Sequence, residues 1–297
     1  MSKRKLIDIL KENEILVSDG ATGTNLIERG LPRGKTPEEW VLENPDAVLN
    51  LHQDFIDAGS NIILTSTFGG SGIRLKRSNL GDEAEMINAA AVKLAIQAVA
   101  DKDVLIAGSM GPLGEMMKPL GTLDTNTAEN NYRQQAEVLS KSGADILLIE
   151  TQFDLTESVI AVRAALSVSG LPVICSFSFD RGIKTMMGVS PTKFAQEFNG
   201  LGVTALGINC GKSLEDNLYS LKELSDATQL PIWFKPNAGL PKLNAEGHPD
   251  YDVSPEEMAS HVGTWIENGA RIIGGCCGTT PEHLKSIKSA VQSITSK

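Results

Sequence analysis

Eight short apolar runs punctuate this chain, and between them lie stretches with the spacing of amphipathic helices. The runs fall at residues 15–19, 61–65, 104–109, 145–150, 172–178, 203–209, 231–235 and 271–275. In the intervals, Ile87, Ala91, Leu94, Ala95 and Ala98 share one helical face, as do Leu214, Leu218, Leu221 and Leu224. Met258, Val262, Trp265 and Ile266 repeat the stripe, and so do Leu284, Ile287, Val291 and Ile294. Helix starts are signalled where a capping residue precedes proline. Ser254-Pro255-Glu256-Glu257 reads as a capping box, and Ser190-Pro191 and Thr280-Pro281 open helices in the same way. Gly59, Gly143, Gly170, Gly202 and Gly269 each stand just before a strand, where a left-handed turn would end the preceding helix.

Alternation of this kind is the pattern of parallel βα units, and eight of them at intervals of roughly 30 residues predict a closed (β/α)8 TIM barrel. The alternative is an open doubly wound sheet, which wants a glycine-rich phosphate fingerprint after its first strand. Asp19-Gly20-Ala21-Thr22-Gly23-Thr24 has only a superficial likeness to one. The stretch from there through Pro32 and Pro37 to Asn44-Pro45 reads as a long irregular loop over the barrel mouth, with the first helix starting near Asp46.

With 297 residues, 41% of them hydrophobic and 22% charged, the whole chain is expected to form one such domain over residues 1–297. Its core would be large enough to need no metal or disulfide for holding the fold. A net charge of −10 without a Lys/Arg cluster argues against nucleic acid and against anionic lipid as partners. Lys3-Arg4-Lys5 is the only early basic run and reads as a solvated terminus. No apolar run approaches the ~20 residues of a membrane helix, and residues 1–16 lack the apolar stretch of a signal peptide. Four cysteines do not make a disulfide scaffold, so the expected compartment is the reducing cytoplasm. Cys175 shares a strand face with Val173, Phe177 and Phe179 and reads as a small buried hydrophobe.

In a barrel of this kind, chemistry gathers at the C-terminal ends of the strands. The polar residues there are Asp19, the run Thr65-Ser66-Thr67, Glu150, Asn209 with Cys210, and Cys276-Cys277. Neighbouring side chains on a strand point to opposite faces, so Cys276 and Cys277 reach one point only if the backbone kinks; Gly274, Gly275 and Gly278 permit that. With Cys210 two units upstream they could make a three-thiolate site with an open fourth position, which favours zinc and a working centre. A vicinal pair can equally be core residues or a redox couple. None of the four histidines is a strong ligand candidate. His52 and His261 fall within expected helices, His248 in a polar loop, and His283 in the first turn of the last helix. Asp19 before a glycine is equally a turn or cap residue. Glu150 ends a strand that is apolar on both faces and needs a partner, either a substrate ammonium or a protein cation.

Together these residues resemble the homocysteine S-methyltransferase family. The resemblance is carried by Asp19-Gly20-Ala21-Thr22-Gly23-Thr24, by Ala58-Gly59-Ser60-Asn61-Ile62-Ile63-Leu64-Thr65, by Gly207-Ile208-Asn209-Cys210, and by Gly274-Gly275-Cys276-Cys277-Gly278-Thr279-Thr280-Pro281. Within the family, the runs Gly108-Ser109-Met110-Gly111-Pro112-Leu113-Gly114 and Lys235-Pro236-Asn237-Ala238-Gly239-Leu240-Pro241 look most like the homocysteine module of cobalamin-dependent methionine synthase. The resemblance implies a zinc barrel in which Cys210, Cys276 and Cys277 are ligands and the homocysteine sulfur is the fourth. It implies that Asp19 and Glu150 hold the amino-acid end of homocysteine, with the amides near Gly20 and Ala21 close by, and that Asn209 orients that end of the site. Full-length methionine synthase carries folate, cobalamin and activation modules beyond this one, whereas this sequence stops at Lys297. The expected methyl source is therefore methylcobalamin on a separate corrinoid protein, or a small donor. A sulfonium or quaternary donor favours an aromatic cage, and only Phe68 and Phe153 stand near strand ends. Two alternatives remain: a catabolic demethylase passing methyl from a sulfonium or betaine-type donor to a thiol or corrinoid partner, and a non-catalytic zinc- or thiol-binding barrel.

Overall fold

The structure is a computed structural model that describes residues 3–243 and 249–296; His248 lies outside the described residues. Eight parallel strands make one sheet: β1 (Leu16–Val17), β2 (Ile62–Leu64), β3 (Leu105–Met110), β4 (Ile146–Gln152), β5 (Val173–Phe177), β6 (Ala205–Cys210), β7 (Ile232–Pro236) and β8 (Ala270–Ile273). Their order is β1-β8-β7-β6-β5-β4-β3-β2. The ends of that row meet at a parallel bridge between Ser18 and Ile62. There Asn61 N donates to Val17 O at 2.6 Å and Asp19 N to Ile62 O at 3.0 Å, which closes the barrel. Helices alternate with the strands, as the (β/α)8 pattern predicts.

The two-residue period of the strands sorts their side chains into two cores. Leu16, Ile62, Leu64, Leu105, Ala107, Ile146, Leu148, Ile174, Ala205, Trp233 and Ile272 fill the barrel interior. Their immediate neighbours Val17, Ile63, Ile106, Leu147, Ile149, Leu206, Phe234 and Ile273 belong to the layer between strands and helices. Cys175 is fully buried in that outer layer, where loss of water pushes its thiol well up, as a packed hydrophobe requires. Among the described residues no helix is long and apolar enough to cross a membrane.

Several elements differ from the sequence expectation. Residues 20–44 are not an irregular loop: they contain helices Thr22–Glu28 and Pro37–Glu43. The second starts with a complete capping box, in which Thr36 N donates to Glu39 Oε1 at 3.1 Å. Pro37 is thus a helix opener, occupying the first turn where its missing N–H costs nothing. The next helix runs Pro45–Asp57, beginning next to Asp46 as expected. A further helix, Leu6–Lys11, inserts Leu6 and Ile9 into the barrel interior. The stripe around Met258 is split at His261 into helices Pro255–Ser260 and Val262–Glu267, and Ser254 there makes only its own half of the box, accepting from Glu257 N. Gly59, Gly143, Gly202 and Gly269 do adopt positive φ; Gly170 does not, because the preceding helix ends at Val168 and Ser169 is already extended (φ −146°). A two-stranded antiparallel ribbon, Lys242–Leu243 with Pro249–Asp250, stands outside the barrel sheet.

Candidate metal centre and substrate cavity

β6 ends on Cys210 and the chain turns sharply after it. Cys210 itself has φ 60° and Gly211 φ 77°, a left-handed pair that swings the next segment off the strand line. Asn217 Nδ2 donates to Cys210 O at 2.8 Å, and a Cβ at Gly211 would fall 2.2 Å from the Asn217 amide, so only glycine fits there. Beyond β8 the chain continues in near-strand register, with Gly274 N donating to Phe234 O and Cys276 N to Pro236 O. It then folds back: Thr279 N and Oγ1 both donate to Cys276 O. Gly278 takes φ 81°, and a Cβ on it would lie 2.2 Å from the Tyr251 ring. Asn237 ties the two cysteine loops together, accepting from Cys277 N at 3.0 Å and donating to Gly211 O at 2.9 Å.

The consequence is that the sulfurs of Cys210, Cys276 and Cys277 all lie within 4.8 Å of one another, with Cys210 and Cys276 at 3.0 Å. Sulfurs sharing a tetrahedral ion at about 2.3 Å stand about 3.8 Å apart, so the three fit one ion with small side-chain rotations. They also share protons unequally. Hydrogen bonds from Cys210 and Cys276 bring Cys277 down to about 3, and the hydroxyl of Tyr251 adds to that. Cys210 is pushed well up by its bonds to Cys276 and Cys277 and by burial. Without a cation the cluster carries one thiolate readily and resists a second; a dication would offset the charge of all three.

Below the thiols, the top layer of the barrel interior is polar. Following the inward parity up each strand gives Ser109, Glu150, Ser176, Asn209 and Lys235. Ser109 Oγ donates to Glu150 Oε1 at 2.5 Å. Burial lifts the Glu150 carboxyl to about 7, against the pull of Lys235. Asn209 Oδ1 accepts from Ser176 Oγ at 2.5 Å and from Thr151 N at 2.9 Å, while its Nδ2 donates to Thr151 Oγ1 at 2.7 Å and to Cys210 Sγ at 3.3 Å. Thr151 has φ 58°, rare for a β-branched residue, and Asn209 is what holds it there. Lys235 Nζ sits 2.6 Å from Asp19 Oδ1, with the two side chains 2% and 1% exposed. Asp19 Oδ2 accepts from Leu64 N at 2.7 Å.

A cavity of about 530 Å³ joins these groups. Gly20, Ala21, Glu150, Cys210, Cys276 and Cys277 line it, as do Ser66, Phe68, Arg74 and Lys235. Asp19 and Asn209 stand behind its wall, touching it through Lys235 and Cys210. The Ala21 amide is already given to Thr279. Gly20 has no room for a side chain, since a Cβ would meet Phe55, Leu284 and Thr279 below 3.0 Å. The Ser66 hydroxyl is buried and has no partner among the described residues. The Arg74 guanidinium covers the Phe68 ring at 4.8 Å from its centroid. The three described histidines do other work. His52 is buried in its helix and kept neutral by loss of water, with a pKa of about 4. His261 stands at the break between two helices, and His283 Nδ1 accepts from Thr280 N in a capping box. Lys235, Tyr251 and Thr151 are the site groups that strand-end reasoning missed; a lysine closing the apolar run Ile232-Trp233-Phe234 was the available signal for the first.

Three thiols gathered around one point in a cavity wall at the barrel mouth form a set that could hold a metal ion and leave one position open to a ligand. A profile described as homocysteine S-methyltransferase matches residues 16–291, and the chain belongs to that family. It is similar to methionine synthase of Mycobacterium tuberculosis, 29% identical over 306 residues that cover 97% of this chain and 25% of that protein. It is 30% identical over 295 residues to methionine synthase of Mycobacterium leprae, covering 93% and 24%. The chain thus spans about a quarter of the length of these curated relatives. Among solved structures, the homocysteine methyltransferase MmuM from Escherichia coli in its metallated form superposes with TM-score 0.81 at 25% identity, over 95% of this chain and 98% of that one. The apo form of the same protein gives 0.74 at 26% identity with the same coverage.

Proposed function

We propose that this chain transfers a methyl group to the thiol of homocysteine, giving methionine. The observation that carries the proposal is the convergence of three sulfurs within 4.8 Å in the wall of a cavity that also presents Glu150 and Lys235. Cys210, Cys276 and Cys277 would hold zinc, which when bound deprotonates an incoming thiol at neutral pH and keeps its sulfur nucleophilic. The chain's own residues orient the acceptor. Glu150, anchored by Ser109, faces the amino-acid end, and Asn209 fixes the Cys210 sulfur relative to Thr151. Gly20 and Ala21 form the adjacent wall, and Asp19 acts on the site through Lys235.

The aromatic lining of the cavity bears on the donor. Phe68 already has a cation over its ring, and Phe153 is not among the lining residues, so the lining offers no free aromatic cage for a sulfonium or quaternary ammonium. That favours a methyl group delivered by a corrinoid, in keeping with the likeness to methionine synthases. The test is zinc content and homocysteine methylation in wild type and Cys276→Ala, with methylcobalamin, S-methylmethionine and betaine as donors. The variant is expected to lose bound zinc and turnover together, and methylcobalamin to be the productive donor. Equal zinc and equal turnover in the variant would overturn the proposal; turnover with a small donor alone would remove the corrinoid partner from it.

A further inference from the structure

Lys235 is a buried cation in the wall of the cavity, and methyl transfer as such does not require it. A buried ammonium is costly unless partnered, and its partner is Asp19 at 2.6 Å, the only ion pair Lys235 makes among the described residues. Asp19 is fully committed. Its Oδ1 takes Lys235 and Ser18 Oγ, its Oδ2 takes Leu64 N, and it is not part of the cavity wall. An incoming ligand therefore meets the lysine and not the aspartate. An ammonium carries three donors, and one is spent on Asp19. The Ser66 hydroxyl, in the same cavity and without a partner, is a further unspent donor. Glu150 lines the cavity beyond ion-pair distance of Lys235. The cavity wall thus carries a cation, an unspent hydroxyl and, out of ion-pair reach of the cation, a carboxyl: the groups that complement a zwitterion.

We infer that Lys235, with Ser66, receives the carboxylate of the acceptor amino acid while Glu150 receives its ammonium, and that Asp19 positions the lysine; the inference rests on the homocysteine reading above. Lys235 is then the specificity-determining residue that selects thiols bearing a carboxylate. Isothermal titration of the zinc-loaded protein compares homocysteine with 3-aminopropane-1-thiol, which keeps thiol and amine and lacks the carboxylate. Wild type is expected to bind homocysteine about 10- to 150-fold more tightly, the range of one charge-assisted contact. Lys235→Met should remove that preference by weakening homocysteine and leaving the aminothiol unchanged. The double variant Asp19→Asn with Lys235→Met leaves no unpaired buried carboxylate, and the same loss of preference is expected on that fold. Equal weakening of both thiols, or an undiminished preference for homocysteine in the double variant, would overturn the role of Lys235. A wild type that binds neither thiol overturns the acceptor reading and this inference with it. Selective binding without methylation overturns only the methyl transfer.

Discussion

Glu150 shows how one residue's surroundings set its charge. It is the last inward-facing side chain of β4, above Leu148 and Ile146, and its one short hydrogen bond comes from Ser109. Burial raises its carboxyl from 4.5 to about 7, so the folded protein holds a proton there that the unfolded chain gives up. The stabilising contribution is therefore complete below about pH 4.5 and is lost as the pH rises through 7. The full span is on the order of 3 kcal/mol. Glu150→Gln, which keeps the shape and cannot ionise, should flatten this dependence in metal-free protein: relative to wild type it gains stability between pH 5 and pH 8, as measured by urea unfolding at each pH. A difference that stays constant across that range would show that Glu150 ionises freely in the fold. The cysteines were legible for another reason. Adjacent thiols amid glycines demand a kink, and the sequence therefore announced Cys276 and Cys277 as a geometric exception. Lys235 gave a weaker signal: a lysine closing the apolar run Ile232-Trp233-Phe234 reads as an ordinary boundary with solvent unless the strand's parity is followed and turns it inward.

At the scale of elements, the short helix Leu6–Lys11 is the clearest case of structure that a periodicity argument does not see. Residues 3–14 carry charge throughout, yet Leu6 and Ile9, three apart on one helical face, join the apolar cluster of the barrel interior at the end opposite the thiols. Leu6, Ile9 and the half-buried Leu10 make less than two turns of apolar pattern, too short to signal a helix, but they are enough to seal a barrel bottom. Ile9→Ala should cost about 2–5 kcal/mol, since the cavity left among strand side chains cannot collapse against the rigid sheet. Chemical denaturation measures this, and zinc content should stay at the wild-type level because the thiols stand at the other end of the strands. A cost near zero would mean that the helix rests on the barrel without packing into it. The helix Pro37–Glu43 was missed although Thr36-Pro37-Glu38-Glu39 repeats the start signal of Ser254-Pro255-Glu256-Glu257, because its seven residues are too few to repeat an apolar stripe. The long βα units were legible because every one repeats its pattern over several turns.

Across the whole molecule, support and chemistry occupy different layers. The barrel interior is apolar from Leu6 up to Trp233, then changes to the polar layer of Ser109, Glu150, Ser176, Asn209 and Lys235, and Lys235 Nζ lies 5.5 Å from the centre of the Trp233 ring where the two meet. The thiols stand above both, held by backbone turns and by Asn237, Asn217 and Asn209 as well as by the contacts among themselves. Nothing in that arrangement requires a metal to assemble it. A fold of this size buries enough apolar surface to stand alone, and three clustered thiols can share a single negative charge in place of three. Stripping metal with a chelator should therefore leave far-UV circular dichroism and the cooperativity of unfolding unchanged. Removing a bound ligand lowers the midpoint only by the binding free energy that the metal supplied to the native state. Homocysteine binding should fall away in the stripped protein and return when zinc is added back. Loss of the cooperative transition on chelation would instead make the three cysteines a structural brace, which would then need a fourth protein ligand; among the described residues no further His, Cys, Asp or Glu joins the cluster.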